Sequence, residues 1–229
     1  MSLVEVGDIL RDVFEVTADI ILSPSKRLYF GYLFTSALLA LFVFIRLKPS
    51  GSFVNYIFNT KVWLSRSSQL DLQIVVFNGF VKILFIGQFL VYGLHLAFWV
   101  DELFTRHLGG FPFVLSESQT IFGYTLALTV FGDFTVYAVH RMMHQVPWLW
   151  RFHSVHHSAT TLTPFTQLRV HPIELIINNA RSILVFGVLT GLFDALSNHQ
   201  IEKITFLGIN VFGFAFFAFG ANLRHSHIR

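Results

Sequence analysis

The sequence predicts an all-α fold: a polytopic membrane helical bundle with about five transmembrane spans and a histidine-rich cap on the cytoplasmic side. Of the 229 residues, 54% are hydrophobic and 13% are charged, against about 25% charged residues in ordinary soluble domains. Charge-poor stretches recur at the length of roughly 20 residues that crosses a bilayer. Histidines are concentrated within residues 140–157. This composition excludes a solvated globular enzyme.

The N-terminal residues 2–22 alternate apolar and acidic positions at helical spacing. Val6, Leu10 and Val13 lie on one face, and Asp8 and Asp12 lie on another. The pattern predicts an amphipathic helix, and residues 1–27 form a segment of their own. Because an anionic cytoplasmic leaflet repels acidic groups, we expect this helix outside, on the interface or on a partner. An ordinary solvated helix lying over the spans fits equally well.

Five charge-poor stretches follow and account for the predicted spans. They are 28–45, 72–100, 119–139, 173–193 and 201–221. The second is long enough to span with tilt, or to break and re-enter. We assign residues 28–118 to the first spans and their loops, and residues 119–229 to a histidine-rich domain.

The charges of the loops predict the orientation, because Lys and Arg accumulate on the cytoplasmic side. Segment 46–71 carries four Lys or Arg residues, whereas 101–118 carries only Arg106 beside acidic residues. Segment 46–71 is therefore expected in the cytoplasm, with the N-terminus outside. Five alternating spans then place 140–172 and the C-terminal tail on the cytoplasmic side. There Arg141, Arg151 and Arg169 are expected to meet an acidic partner or lipid headgroups.

Two sets of histidines have the spacing of metal ligands. His140 and His144 are four residues apart, so on a helix both imidazoles project from one face. His153, His156 and His157 follow Pro147 and again share a helical face. One such pair could be structural, but five histidines in two sets favour a shared metal site. We expect the two sets to converge in space. Imidazole suits Zn, Cu, Fe and Ni, so the spacing does not choose the metal.

Asp133 and Tyr137 are the candidate catalytic residues, since they precede His140 on the same face of the third span. An ionisable group within a span is costly and usually faces a bundle interior or cavity. We interpret Asp133 as a carboxylate that orients a ligand imidazole. A structural pair with Arg or Tyr on another helix is the alternative. Asn178, Asn179 and Arg181 in the fourth span are expected to face inward.

The run from Asp133 to His144, continued by the HxxHH element of His153, His156 and His157, resembles the fatty acid hydroxylase/sterol desaturase superfamily over roughly residues 120–229. The resemblance implies a membrane-bound di-iron oxygenase acting on a sterol, fatty acyl chain or related lipid. It implies that His140, His144, His153, His156 and His157 are metal ligands. It adds His171, in an HPxE element, and His225, in an element written Asn222-Leu-Arg-His225-Ser226.

The resemblance also implies the cofactors and partners: two Fe ions, O2, a lipid substrate from the bilayer and an external electron donor. No flavin, haem or iron–sulfur motif occurs and Cys is absent, so a separate reductase or small redox protein is expected. The net charge of +3 gives no electrostatic sign of nucleic-acid binding. The Phe-rich stretch 212–219 either lines a lipid tunnel or simply faces lipid.

One departure from the family pattern bears on activity. In the family a further HxxHH element follows the segment of His225, whereas this sequence stops at Arg229. We therefore expect an incomplete histidine-rich domain, with weak or no metal binding by residues 1–229 alone, or else a degenerate member that has lost the reaction. Two other functions stay open: a non-catalytic membrane subunit of a larger complex, and a histidine-rich metal carrier.

Overall fold

The computed structural model describes residues 3–86, 89–197, 205–206 and 209–210. Over these residues the protein is helical, as predicted, apart from a two-residue antiparallel pairing of Thr205–Phe206 with Ile209–Asn210. The helices are α1 (Leu3–Leu22), α2 (Phe30–Leu47), α3 (Phe53–Ile57), α4 (Thr60–Trp63), α5 (Arg66–Val81), α6 (Leu90–Glu102), α7 (Glu117–Gln145), α8 (Pro147–His157) and α9 (Pro172–Leu196). π-Helical turns occupy Lys82–Ile86 and Leu103–His107, and a 3-10 helix occupies Pro164–Leu168.

Four of the described helical segments are long and apolar enough to cross a membrane: Phe30–Leu47, Arg66–Phe85, Glu117–Gln145 and Pro172–Leu196. They correspond to the first four predicted stretches. The second stretch contains the π-helical turn Lys82–Ile86 after α5 and a further helix from Leu90; whether it spans with tilt or re-enters stays a prediction. The fifth, 201–221, lies outside the described residues except for the four residues of the two strands, which are extended rather than helical.

The centre of the bundle is a parallel pair, α6 and α9, flanked by the antiparallel α7. Glycines allow the parallel pair to approach closely. A Cβ at Gly187 would lie 2.8 Å from the Gly93 carbonyl oxygen, and one at Gly191 would overlap the Ala97 carbonyl oxygen. Close backbone approach at small residues is how helices associate in membranes without a hydrophobic driving force between them.

Helix α7 is joined to α9 by two polar contacts that set their antiparallel register. Tyr124 shares a 2.7 Å hydrogen bond with Thr190, and Arg181 donates to the Thr135 hydroxyl at 3.0 Å. Ser116 caps the start of α7 in a reciprocal capping box with Gln119. The end of α7 and the start of α9 therefore meet at one end of the bundle, which we call the histidine end.

Helix α1 is present as predicted and packs along α5. A Cβ at Gly79 of α5 would lie 3.4 Å from Val13 Cγ1. Ile20 joins a buried cluster with Leu28 and Val75, on which Phe165 and Leu168 pack. This cluster is at the histidine end, because Phe165 and Leu168 lie in the segment that joins α8 to α9.

The start of α2 lies at the histidine end, whereas the loop charges predict the N-terminal segment and the histidines on opposite sides of the membrane; the orientation of the chain in the membrane stays a prediction. Leu28 is 1% exposed and packs on the histidine end, and Arg27 lines a cavity with His140 and His153. The residues before α2 thus lie beside the histidines. The chain leaves this end along α2 and is back by Ser65, whose hydroxyl lies 2.7 Å from the Thr161 hydroxyl. Counting loop charges could not detect this return, since it depends on long-range contacts.

Candidate metal centre

The end of α7 presents the first pair of histidines. His140 and His144 lie one helical turn apart, and their Nε2 atoms are 3.2 Å apart with ring centroids 4.7 Å apart. Both nitrogens therefore point at the same small volume. Two neutral imidazoles in this arrangement can share at most one proton between the facing nitrogens, which leaves lone-pair density for a cation.

Helix α8 returns the second set to the first. The chain turns at Val146, where the backbone is extended, and Pro147 starts the new helix at its first turn, where proline is favoured. His153 and His157 face each other with Nε2 atoms 3.2 Å apart. The His153 ring centroid lies 4.7 Å from that of His140 and 4.8 Å from that of His144. The two sets converge, as the sequence predicted.

Candidate ligand atoms of His140, His144 and His153 all lie within 4.8 Å of one another, close enough to hold one metal ion. His157 extends the cluster, with its ring centroid 4.8 Å from that of His144. The Trp150 ring centroid is 5.4 Å from both of these last two rings and covers one side. We call His140, His144, His153 and His157 the histidine cluster.

His156 borders this cluster and is held by the backbone. Its ring centroid lies 5.6 Å from that of His153, and its Nδ1 is 3.3 Å from the Arg169 carbonyl oxygen. A carbonyl can only accept a hydrogen bond, so this contact requires the proton on Nδ1 and leaves the lone pair on Nε2.

Glu174 orients the most buried histidine. Its Oε1 lies 3.0 Å from His153 Nδ1, and the side chains are 8% and 2% exposed. Burial, together with the neighbouring His157 and His144, lowers the pKa of His153 to about 4. The ring is therefore neutral at pH 7, Nδ1–H donates to the carboxylate, and Nε2 offers its lone pair to the cluster. Burial first and His144 second also lower the pKa of His157.

The structure places the orienting carboxylate on α9, whereas the sequence suggested Asp133. Asp133 is exposed and makes no hydrogen bond with an imidazole among the described residues. The Tyr137 hydroxyl accepts a 3.1 Å hydrogen bond from Arg141. A catalytic part for Asp133 or Tyr137 stays a prediction. The signal for Glu174 was available, since it is an acid at the start of an apolar span.

The remaining predicted ligands have different positions. His171 is the N-cap of α9, and its Nδ1 accepts a 3.1 Å hydrogen bond from the Ile173 N–H. Its ring packs on Phe152, with centroids 4.9 Å apart. Ligation by His171 would therefore use Nε2. His225 lies outside the described residues, as does the Phe-rich stretch 212–219.

Arg169 is not available to a partner or to headgroups, contrary to the sequence-based expectation. It is 1% exposed, and its Nε donates to Asp71 Oδ1 at 2.6 Å. Neither this pairing nor the part of Asp71 was found from the sequence, because the two residues lie far apart in the chain and Asp71 precedes its span without any motif.

A cavity of about 320 Å³ adjoins the histidines. It lies between α7 and α9, with Val136 and Met143 on one side and Asn178 and Arg181 on the other. Arg181 and Asn178 thus line this cavity, in agreement with the prediction, whereas Asn179 lines a separate apolar cavity with Phe85 and Phe89. Glu174 Oε2 and Arg181 Nε are buried and without a hydrogen-bond partner in the structure, so the cavity has both polar atoms and apolar walls.

The fold and the site define a class of protein: a helical bundle with candidate membrane spans, in which four imidazoles cluster where α7 ends and a buried carboxylate at the start of α9 orients one of them. The comparisons with known proteins agree. Residues 125–228 match the Fatty acid hydroxylase family. No curated protein and no solved structure matches the chain.

Proposed function

We propose that this protein is a membrane-bound oxygenase that uses O2 and two iron ions to hydroxylate or desaturate a lipid. The family implies oxidoreductase activity. The observation that carries the proposal is the convergence of the His140, His144 and His153 ligand atoms within 4.8 Å. Bound iron would activate O2 for attack on an inert C–H bond, with electrons supplied by a separate reductase or small redox protein.

The donor set fits iron in three respects. Imidazole nitrogens are among the ligands that iron accepts. The low pKa of His153 keeps its ring neutral at pH 7, as ligation requires. Glu174 holds the His153 tautomer with Nε2 toward the cluster. The histidine cluster would therefore hold metal, with His156, His171 and His225 as the further ligands that the family resemblance implies.

The cavity supports a lipid as the substrate. Much of its lining belongs to α7 and α9, two helices apolar and long enough to cross a membrane, and the rest includes residues of α8 and of the segment between α8 and α9. A lipid chain entering between α7 and α9 would reach the cavity beside His140 and His153. Val136 and Met143 would pack on such a chain, and Asn178 would offer a polar contact.

Metal content tests the proposal most directly. The full chain is purified in lipid nanodiscs, loaded with Fe²⁺ without oxygen, and analysed for bound iron. The missing HxxHH element predicts weak or no metal binding by residues 1–229, but ligand atoms of three histidines already lie within 4.8 Å of one another. We therefore expect iron to bind, and to be lost in the double variant His144→Ala/His153→Ala. His95→Ala is the matched control, because His95 lies on α6, where its Nδ1 contacts the Val91 carbonyl oxygen.

A second measurement follows oxygen-dependent oxidation of bilayer lipids with an added electron donor, read by mass spectrometry. Oxidised lipid should appear with the unmodified protein and with His95→Ala, and should disappear with the double variant. A chain that binds no iron, or that binds it equally after loss of His144 and His153, would contradict the proposal and favour a non-catalytic membrane subunit.

A further inference from the structure

A buried ion pair ties α5 to the segment that links α8 and α9. Asp71 is fully buried, and Arg169 is 1% exposed. The Asp71 carboxylate accepts from Arg169 Nε at 2.6 Å through Oδ1 and from the Thr166 hydroxyl at 2.8 Å through Oδ2. Both carboxylate oxygens are thus used to hold the segment between the histidines of α8 and the start of α9.

The rest of the Arg169 guanidinium is used in the same way. Its NH2 group donates to the Ser67 carbonyl oxygen at 2.6 Å and to the Ser67 hydroxyl at 2.8 Å. Its NH1 group donates to the Ser158 hydroxyl at 3.2 Å. A planar guanidinium held on three sides has one orientation. The backbone of residue 169 is therefore fixed relative to α5 and to the end of α8.

That backbone is in contact with the metal centre. The Arg169 carbonyl oxygen lies 3.3 Å from His156 Nδ1, so its position decides the tautomer of the His156 ring. We propose that Asp71 is a positioning residue for the metal centre, which acts through Arg169 to hold the carbonyl that orients His156. This inference rests on the proposed function, since it takes the histidines as metal ligands.

Burying an ion pair has a large desolvation cost, so it is an inefficient way to pack two segments together. Buried pairs can often be replaced by apolar residues of similar volume without loss of stability. The three directional contacts of one guanidinium fix the orientation of the segment that links α8 and α9. Apolar packing alone would not fix that orientation. Asp71 also lies outside the family match at 125–228, so α5 would contribute to the centre through Arg169.

The test separates positioning from stability with the double variant Asp71→Leu/Arg169→Met, which removes both charges together and leaves neither buried alone. Apoprotein of the full chain in nanodiscs is titrated with Co²⁺ and followed by its visible absorbance. Loss of partners behind metal ligands typically costs about 10–100-fold in metal affinity, and we expect a loss in that range. Hydrogen exchange of the amides in 158–170 should increase in the metal-free protein.

Two further variants complete the design. Tyr124→Phe is the control, because it removes a contact between α7 and α9 at the other end of the bundle and should leave Co²⁺ affinity unchanged. Arg169→Lys keeps the charge and loses the planar group. It should weaken Co²⁺ binding even if the double variant does not fold.

The possible results are distinct. Co²⁺ affinity within twofold of the unmodified protein in a folded double variant, or in folded Arg169→Lys, would overturn the positioning role while leaving the proposed function intact. An unmodified protein that binds no Co²⁺ would instead refute the proposed function, and the positioning role with it.

Discussion

Replacing Glu174 with alanine should weaken metal binding by roughly 10- to 100-fold. The variant removes the acceptor 3.0 Å from His153 Nδ1, in a contact whose two side chains are 8% and 2% exposed. Hydrogen bonds to charged groups contribute about 1.5–3 kcal/mol, and each 1.4 kcal/mol or so is tenfold in affinity. Because both side chains are buried, we do not expect water to replace the carboxylate in Glu174→Ala. Most of the free energy of this hydrogen bond should therefore be lost from metal binding.

Glu174→Gln refines this expectation, because the amide oxygen can still accept from Nδ1–H. Hydrogen bonds to ionised groups are roughly twice as strong as neutral ones, so glutamine should recover about half of the binding free energy that alanine loses. Titration of the apoprotein with Co²⁺ in nanodiscs measures all the variants on one scale.

Asp133→Ala is the matched control, since Asp133 is an exposed carboxylate on α7 with no hydrogen bond to a described imidazole. It should bind Co²⁺ as the unmodified protein does. A tenfold loss in Asp133→Ala, with Glu174→Ala unchanged, would refute the reasoning from the structure and restore the assignment suggested by the sequence.

Two other predictions concern the bundle and its topology. Gly191→Ala should lower stability by about 1–3 kcal/mol, because the added Cβ would overlap the Ala97 carbonyl oxygen and lie 2.8 Å from Val100 Cβ. Gly132→Ala, with nothing within 4 Å of the new Cβ, should leave the stability unchanged or raise it by up to about 1 kcal/mol in thermal unfolding. An equal loss of stability in the two variants would argue against the tight contact of α6 with α9. Single cysteines at Ser25 and Thr160 should react with an impermeant thiol reagent from the same side of the membrane, and one at Val114 from the other, because the first two lie at the histidine end. Labelling of 25 and 114 from one side and of 160 from the other would contradict the position of the start of α2; the absence of native Cys makes the background clean.

Local features of the sequence determined most of the helices and half of the site. Charge-poor stretches gave the positions of α2, α7 and α9, and the acidic and apolar periodicity gave α1, because these patterns depend on residues within a few turns. The spacing of His140 with His144, and of His153 with His157, placed each pair on one face of a helix. Pro147, which separates the two sets in the sequence, begins the helix that carries the second pair.

Only the tertiary structure decided which groups form hydrogen bonds with the histidines and which ends of the helices meet. Glu174 lies 21 residues from His153 in the chain, and Asp71 lies 98 from Arg169, so no periodicity connects either pair. Asp133 looked better placed because it shares a helix face with His140, yet the carboxylate nearer in space is on another helix. The start of α2 reached the histidine end for the same reason: Leu28 is buried by Val75 and Phe165, and burial by distant segments depends on how the helices pack, which local periodicity and loop charge do not encode.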